Sequence, residues 1–151
     1  MTNAKIGGWE ERFQPKLKKR HAHFAKKVFH RLMKKSSTLK SSLKKRSKEY
    51  EVDFEITLDE IREMFWKNYN KKCRYCKNKL DVTNMVCDHF YPLSMGGGSV
   101  VKNLQIICGR CNTRKGSLTH QEYTKLLKWL DGCSDNMRSY VLRKLAKGDL
   151  F

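Results

Sequence analysis

Cys87-Asp-His-Phe-Tyr-Pro-Leu-Ser-Met-Gly-Gly-Gly-Ser-Val-Val-Lys-Asn-Leu-Gln-Ile-Ile-Cys-Gly-Arg-Cys-Asn-Thr-Arg-Lys-Gly116 is the stretch on which the fold turns. It sets a carboxylate beside an imidazole, then a glycine-rich turn, an apolar run and a Cys-x-x-Cys followed at once by Asn112. A second Cys-x-x-Cys, Cys73-Arg-Tyr-Cys76, lies upstream. Four thiolates in two such units suit one tetrahedral zinc, because two intervening residues let a single turn of backbone wrap the ion. The 31 residues between Cys76 and Cys108 exceed the spacing of an ordinary zinc ribbon, so an element is inserted there. With Cys73, Cys76, Cys108 and Cys111 as ligands no coordination position stays open, and this metal is expected to be structural. Cys87 and Cys133 are left over and read as buried or partly buried free thiols.

Within the inserted element, Met85 to Phe90 reads as a strand, Pro92 to Ser99 as a loop and Val100 to Ile107 as a second strand. A helix follows from Cys108 until Gly116. Neighbouring side chains of a strand leave on opposite faces, so Asp88 can hold a metal while His89 stays free as a base. Phosphodiester hydrolysis needs those two things: a divalent cation at the phosphate, and a base of near-neutral pKa for the water. Asn112, fixed by the zinc-bound helix start, offers an amide oxygen to the same magnesium-class ion. Asn103 is expected to hydrogen-bond across the loop to the backbone at His89 and set the ring. Met95-Gly96-Gly97-Gly98 reads as a compliant turn that a phosphate backbone can approach. Arg110, Arg114 and Lys115 add cations on the same helix, as phosphate contacts or as a plain solvated face.

Upstream, Phe13, Leu17, Phe24, Val28 and Leu32 form an apolar stripe with Pro15 in the first turn, a basic amphipathic helix to about Lys35. Ser36-Ser37-Thr38 is read as its interruption, with a second short helix carrying Leu39 and Leu43 toward Tyr50. Val52, Phe54 and Ile56 alternate with acids as a half-buried extended segment. Thr57-Leu-Asp-Glu60 and Thr119-His-Gln-Glu122 have the capping-box form and open two helices. Trp66 and Tyr69 read as packing residues, and Lys77-Asn78 as the turn of the first knuckle. A last helix starts at Ser134 or Asp135 and is stopped by Gly148. His21, His23, His30 and His120 read as surface residues.

Lys and Arg number 33 against 15 Asp and Glu, a net charge of +18, which favours polyanionic partners. The excess is lopsided: residues 1–50 hold 16 Lys and Arg against 3 acids, whereas residues 51–151 hold 17 against 12. The first part is therefore expected to act as an arm whose cations, among them Lys18, Lys19, Arg20, Lys26, Lys27 and Arg31, track phosphates. No apolar run of about 18 residues occurs and the N-terminus lacks the apolar core of a secretory signal, so an intracellular protein is expected, with no membrane partner.

The order Cys-x-x-Cys, Asp-His, Asn-Leu-Gln, Cys-x-x-Cys-Asn-x-x-Lys-Gly resembles the HNH endonucleases, firmly over about residues 70–118. The resemblance implies an α+β fold. Its ββα-metal, treble-clef-like core is stapled by a structural zinc, with a basic helical arm over 1–49, a nuclease domain over 50–151 and two C-terminal helices. It implies His89 as general base, Asp88 as the metal-binding acid before it and Asn103 as the central asparagine. Asn112 stands where many members carry the final histidine, so the chain looks like the HNN variant seen in phage junction-resolving nucleases, a departure that bears on metal affinity. DNA as substrate, magnesium or another divalent ion as catalytic cofactor, and 5′-phosphate and 3′-hydroxyl products follow from the same resemblance. So do a bacterial cytoplasm or phage-infected cell as setting, and a homodimer if both strands are cut. A zinc-stapled module that only binds nucleic acid is the alternative, although it would need none of Asp88, His89, Asn103 and Asn112.

Overall fold

A computed structural model describes residues 19–147, with side chains from 23 to 146. Phe13, Pro15, Leu17, Lys18 and Gly148 of the sequence reading lie outside the described residues, and Lys19, Arg20 and His21 are described only as helical backbone. Helix α1 (Lys19–Glu49) is followed by β1 (Phe54–Glu55), α2 (Leu58–Asn68), β2 (Met85–His89), β3 (Ser99–Val100), β4 (Leu104–Cys108), α3 (Gly109–Lys115), α4 (His120–Asp131) and α5 (Asp135–Lys147).

Helix α1 runs unbroken through Ser36-Ser37-Thr38, where two helices are expected. The hydroxyls do not compete with the helix here, because each turns back onto it. Ser36 Oγ donates to the Leu32 carbonyl at 2.7 Å, Ser37 to Met33 at 3.2 Å and Thr38 to Lys34 at 3.1 Å, the i−4 pattern a helix tolerates. Val28, Leu32, Ser36, Leu43 and Ser47 then fall on one buried stripe. Phe24, counted in the apolar stripe, is 64 % exposed instead. Arg46 and Lys48 in the last turn face the negative end of the helix dipole. The helix ends in a Schellman turn: Glu51 sits at φ 53°, Val52 N–H bonds Ser47 O at 3.0 Å and Glu51 N–H bonds Lys48 O at 3.3 Å.

The half-buried segment at Phe54 pairs in parallel with β3, Phe54 opposite Ser99. Thr57 and Glu60 close the capping box in both directions, and α2 buries Ile61 and Phe65 against α1. Trp66 packs edge-on to Phe29 with ring centroids 6.3 Å apart, a packing residue as expected. The core is one cluster that joins Val28, Leu32 and Leu43 of α1 to Ile61 and Phe65 of α2 and to Met85, Ile106 and Ile107 of the hairpin. Burying a side chain of that size contributes about 1.5–3 kcal/mol, so α1 is held by its stripe while Lys26, Lys27, Arg31 and Lys34 stay exposed.

Strands β2 and β4 form an antiparallel pair in which Asp88 lies opposite Gln105 and His89 opposite Leu104. The second strand is not continuous from Val100. A 3-10 turn at Val101–Asn103 separates β3 from β4 and lets each pair with a different partner. Helix α3 follows β4 directly, which completes a ββα unit, and α5 packs on α3. The second capping box, at Thr119 and Glu122, starts α4 as read from sequence.

Candidate active site

The four cysteines come together as their spacing requires. Cys73 and Cys76 sit in a knuckle closed by Cys73 N–H to Asn78 O at 2.7 Å and Lys77 N–H to Cys73 O at 3.0 Å, with Lys77 at φ 62° making the turn. Cys108 ends β4 and Cys111 lies in the first turn of α3. Their sulfur atoms all lie within 4.8 Å of one another. A tetrahedral zinc with bonds of about 2.3 Å sets its sulfurs about 3.8 Å apart, and Cys76 and Cys108 already stand at 3.6 Å. The Cys73 thiol is held down to about 4 by hydrogen bonding from the Cys111 side chain and by the backbone N–H groups of Cys108, Cys76 and Tyr75. The cluster therefore fits one zinc-class ion. Cys87 stays outside it as a free, half-buried thiol, pushed up to about 12 by burial, and Cys133 is likewise free and partly buried.

Asp88 and His89 leave the end of β2 toward different neighbours. The carboxylate of Asp88, 7 % exposed, accepts from Gln105 Nε2 at 2.8 Å and from Lys115 Nζ at 3.1 Å. Gln105 is its cross-strand partner, so the register of the hairpin places that bond. Lys115 also donates to the His89 carbonyl at 2.8 Å. It is 1 % exposed, so its ammonium is spent inside the protein, although sequence reading offers it to phosphate. The His89 ring turns the other way, with Nε2 3.1 Å from Ser99 Oγ. Burial, then Arg46 and Lys115, lower its pKa to about 4, which keeps the imidazole neutral at physiological pH.

Asn103 clamps the loop rather than His89 itself. Its Oδ1 accepts from Tyr91 N–H at 2.9 Å, and its Nδ2 donates to Tyr91 O at 3.0 Å and Gly98 O at 2.9 Å. The glycine turn is correspondingly pinned and not compliant. A Cβ at Gly97 would collide with the Tyr91 carbonyl, and one at Gly98 would press on Asp53. Gly98 is followed by Ser99, the residue bonded to His89, so the Asn103 side chain bonds the neighbour of the ring's partner and not the backbone of His89 as expected.

A cavity of about 380 Å³ is lined by Asp88, His89, Asn112, Lys115 and, from the end of α1, Arg46 and Tyr50. The structure thus brings Asp88, His89 and Asn112 together and leaves Asn103 outside this lining. Arg110 is exposed and Arg114 half-buried, and neither lines this cavity. Lys26, Lys27 and Arg31 lie exposed on α1. Arg46 and Ser99 were missed by sequence reading: Arg46 is one of many cations in its helix, and Ser99 gains meaning only from the pairing of β1 with β3. His120 is no plain surface residue, since its Nδ1 lies 2.9 Å from Tyr75 OH and its ring packs edge-on to Phe90. Tyr75 in turn accepts from Gln105 at 2.8 Å, so a polar chain runs from Asp88 to the start of α4.

One carboxylate, one amide and room for water form the donor set of a hard divalent cation. Each Asp88 oxygen accepts one protein hydrogen bond and retains a lone pair for such an ion. Among the described residues, no helix is long and apolar enough to cross a membrane. No curated protein matches the chain. The sequence model described as HNH endonuclease matches residues 73–128, a span holding the four cysteines, Asp88, His89, Asn103 and Asn112. Over that span the chain is similar to the HNH endonuclease family, a likeness that points to a nuclease or nucleic-acid-binding role.

Proposed function

We propose that the chain is a metal-dependent DNA endonuclease. The observation that carries this reading is the convergence of Asp88, His89 and Asn112 on one cavity, beside Arg46 and Lys115. A divalent ion of the magnesium class, when bound, would supply charge neutralisation at the scissile phosphate and the departing 3′ oxygen. Asp88 and Asn112 would hold it. His89 takes the proton of the attacking water; its imidazole is neutral at physiological pH, and at about 4 it is a weaker base than the near-neutral one expected from sequence. Arg46 meets the negative charge of the phosphate at the cavity mouth. Lys115 neutralises part of Asp88 and, through the His89 carbonyl, ties the strand end to α3. Products with 5′-phosphate and 3′-hydroxyl ends accord with water attacking the phosphorus opposite the 3′ oxygen.

Residues 1–49 serve in this reading as the arm that grips the backbone, and residues 50–151 as the cutting domain. A cavity of this kind cuts one strand, so double-strand cleavage takes two copies. The arm supplies charge more than base-reading groups, which favours relaxed sequence preference. Plasmid nicking with magnesium tests the proposal. The wild-type chain should convert supercoiled to open-circular DNA, and His89→Ala should lower the rate at least about 100-fold while still binding DNA. A purified protein that binds DNA yet cuts none with any divalent ion would leave only the non-catalytic zinc module.

A further inference from the structure

The end of α1 reaches the base itself. Ser47 Oγ donates to Ser99 Oγ at 2.7 Å, and Ser99 Oγ lies 3.1 Å from His89 Nε2. Both serines are sealed from solvent, at 1 % and 0 % exposure. Their backbones are fixed as well. Ser47 O closes the Schellman turn by accepting from Val52 N–H at 3.0 Å, and Ser99 N–H bonds Asp53 O at 2.7 Å. The three side chains come from α1, β3 and β2, three elements with no local reason to meet. A buried hydroxyl pair is costly unless each member is hydrogen-bonded, and here the ring it reaches is that of His89.

We propose that Ser47 and Ser99 are positioning residues for His89, anchoring Nε2 in the interior so that Nδ1 is the nitrogen presented to the cavity. This rests on the nuclease reading for its purpose, though not for its geometry. A hydroxyl oxygen accepts as well as donates. When Ser99 Oγ takes the Nε2–H, the imidazole carries its proton on Nε2 and keeps the Nδ1 lone pair for water. Ser47 donates to one lone pair of Ser99 Oγ, and the Nε2–H is accepted on the other. The same turn of α1 carries Arg46 to the cavity mouth, so one helix end supplies both a cation for the phosphate and the support of the base.

The test is ring 15N NMR of the full-length, zinc-loaded chain at pH 7.5, read beside single-turnover nicking and DNA affinity for wild type, Ser47→Ala and Ser99→Ala. Wild type should show one His89 tautomer, protonated at Nε2. Ser99→Ala should mix the tautomers and slow nicking about 10- to 100-fold, as expected for a misplaced reacting group, with DNA affinity unchanged. Ser47→Ala, an exchange that a helix accepts easily, should do the same to a smaller degree and covers the case in which Ser99→Ala fails to fold. A wild-type ring protonated at Nδ1 overturns the proposal, as does a tautomer and nicking rate unmoved in both variants. Should wild type cut nothing, the nuclease reading falls, while loss of the single tautomer in Ser99→Ala still supports the anchoring.

Discussion

The cysteine cluster and the Asp88 cavity both gather polar side chains, yet they are built on opposite plans. The cluster uses four identical ligands from two short units, each wrapped by its own turn, and its sulfurs lie within 4.8 Å. The cavity draws unlike residues from α1, β2, α3 and the segment 92–94, and its acid is already bonded to Lys115 and Gln105. A closed site of like ligands gives stability and little chemistry. An open site of unlike groups leaves room for water and substrate, and this one depends on the first for its shape, because Asn112 and Lys115 sit on the helix that Cys108 and Cys111 begin.

The widest gap between the two should appear on losing metal. Cys111→Ser, or strong chelation, is expected to unfold the domain, since structural zinc sites contribute about 10–16 kcal/mol of apparent binding free energy. Circular dichroism melts with zinc stoichiometry read this directly. A variant that keeps wild-type stability with no metal bound would erase the distinction. Next in size is Lys115→Met. It strands the buried Asp88 charge, which should lower stability by about 3–5 kcal/mol in urea unfolding. Adding Asp88→Asn should restore most of that loss, and failure to do so would mean that Lys115 matters for packing alone.

Smaller still is the arm. Replacing Lys26, Lys27 and Arg31 with Ala should leave the fold intact and reduce the slope of log affinity against log salt by about 0.9 for each phosphate that is no longer neutralised. An unchanged slope would remove the arm from the DNA interface. Least in size is an acid effect at the two capping boxes. Glu60 and Glu122 are held below their ordinary value of 4.5 by the backbone N–H and then the hydroxyl of Thr57 and Thr119. Their contribution is thus present above that value and fades as pH falls through the lower folded values. A Glu60→Gln, Glu122→Gln variant should show a flatter loss of stability below pH 4.5 than wild type, and parallel curves would count against the capping boxes.

What could be read from sequence follows the same contrast. Cys-x-x-Cys spacing, Asp-His adjacency and the two Thr-x-x-Glu boxes are local, so their geometry is contained in a few consecutive residues. The serine run in α1 misled because Ser and Thr have two local options. Whether they break a helix or bond back to it depends on the buried stripe that holds the helix together. The break of the second strand at Val101 was hidden for a different reason. Within Val100 to Ile107 the strand-depleted pair Lys102-Asn103 is a weak signal between β-branched ends, and it becomes a division only through the separate pairing of Ser99 with Phe54. Arg46 and Lys115 are alike in sequence as cations among cations. What separates them from the rest is a long-range neighbour, Lys115 having the Asp88 carboxylate and Arg46 the cavity mouth.

The unbroken course of α1 also has a geometric consequence. Its 31 residues make a rod about 46 Å long at 1.5 Å per residue, longer than one turn of B-form duplex at about 34–36 Å. A straight rod and a helical groove separate within a fraction of that turn, so the cations along α1 cannot all meet the same stretch of a straight duplex. Full engagement asks for nucleic acid that bends along the rod, or for more than one duplex arm laid across it.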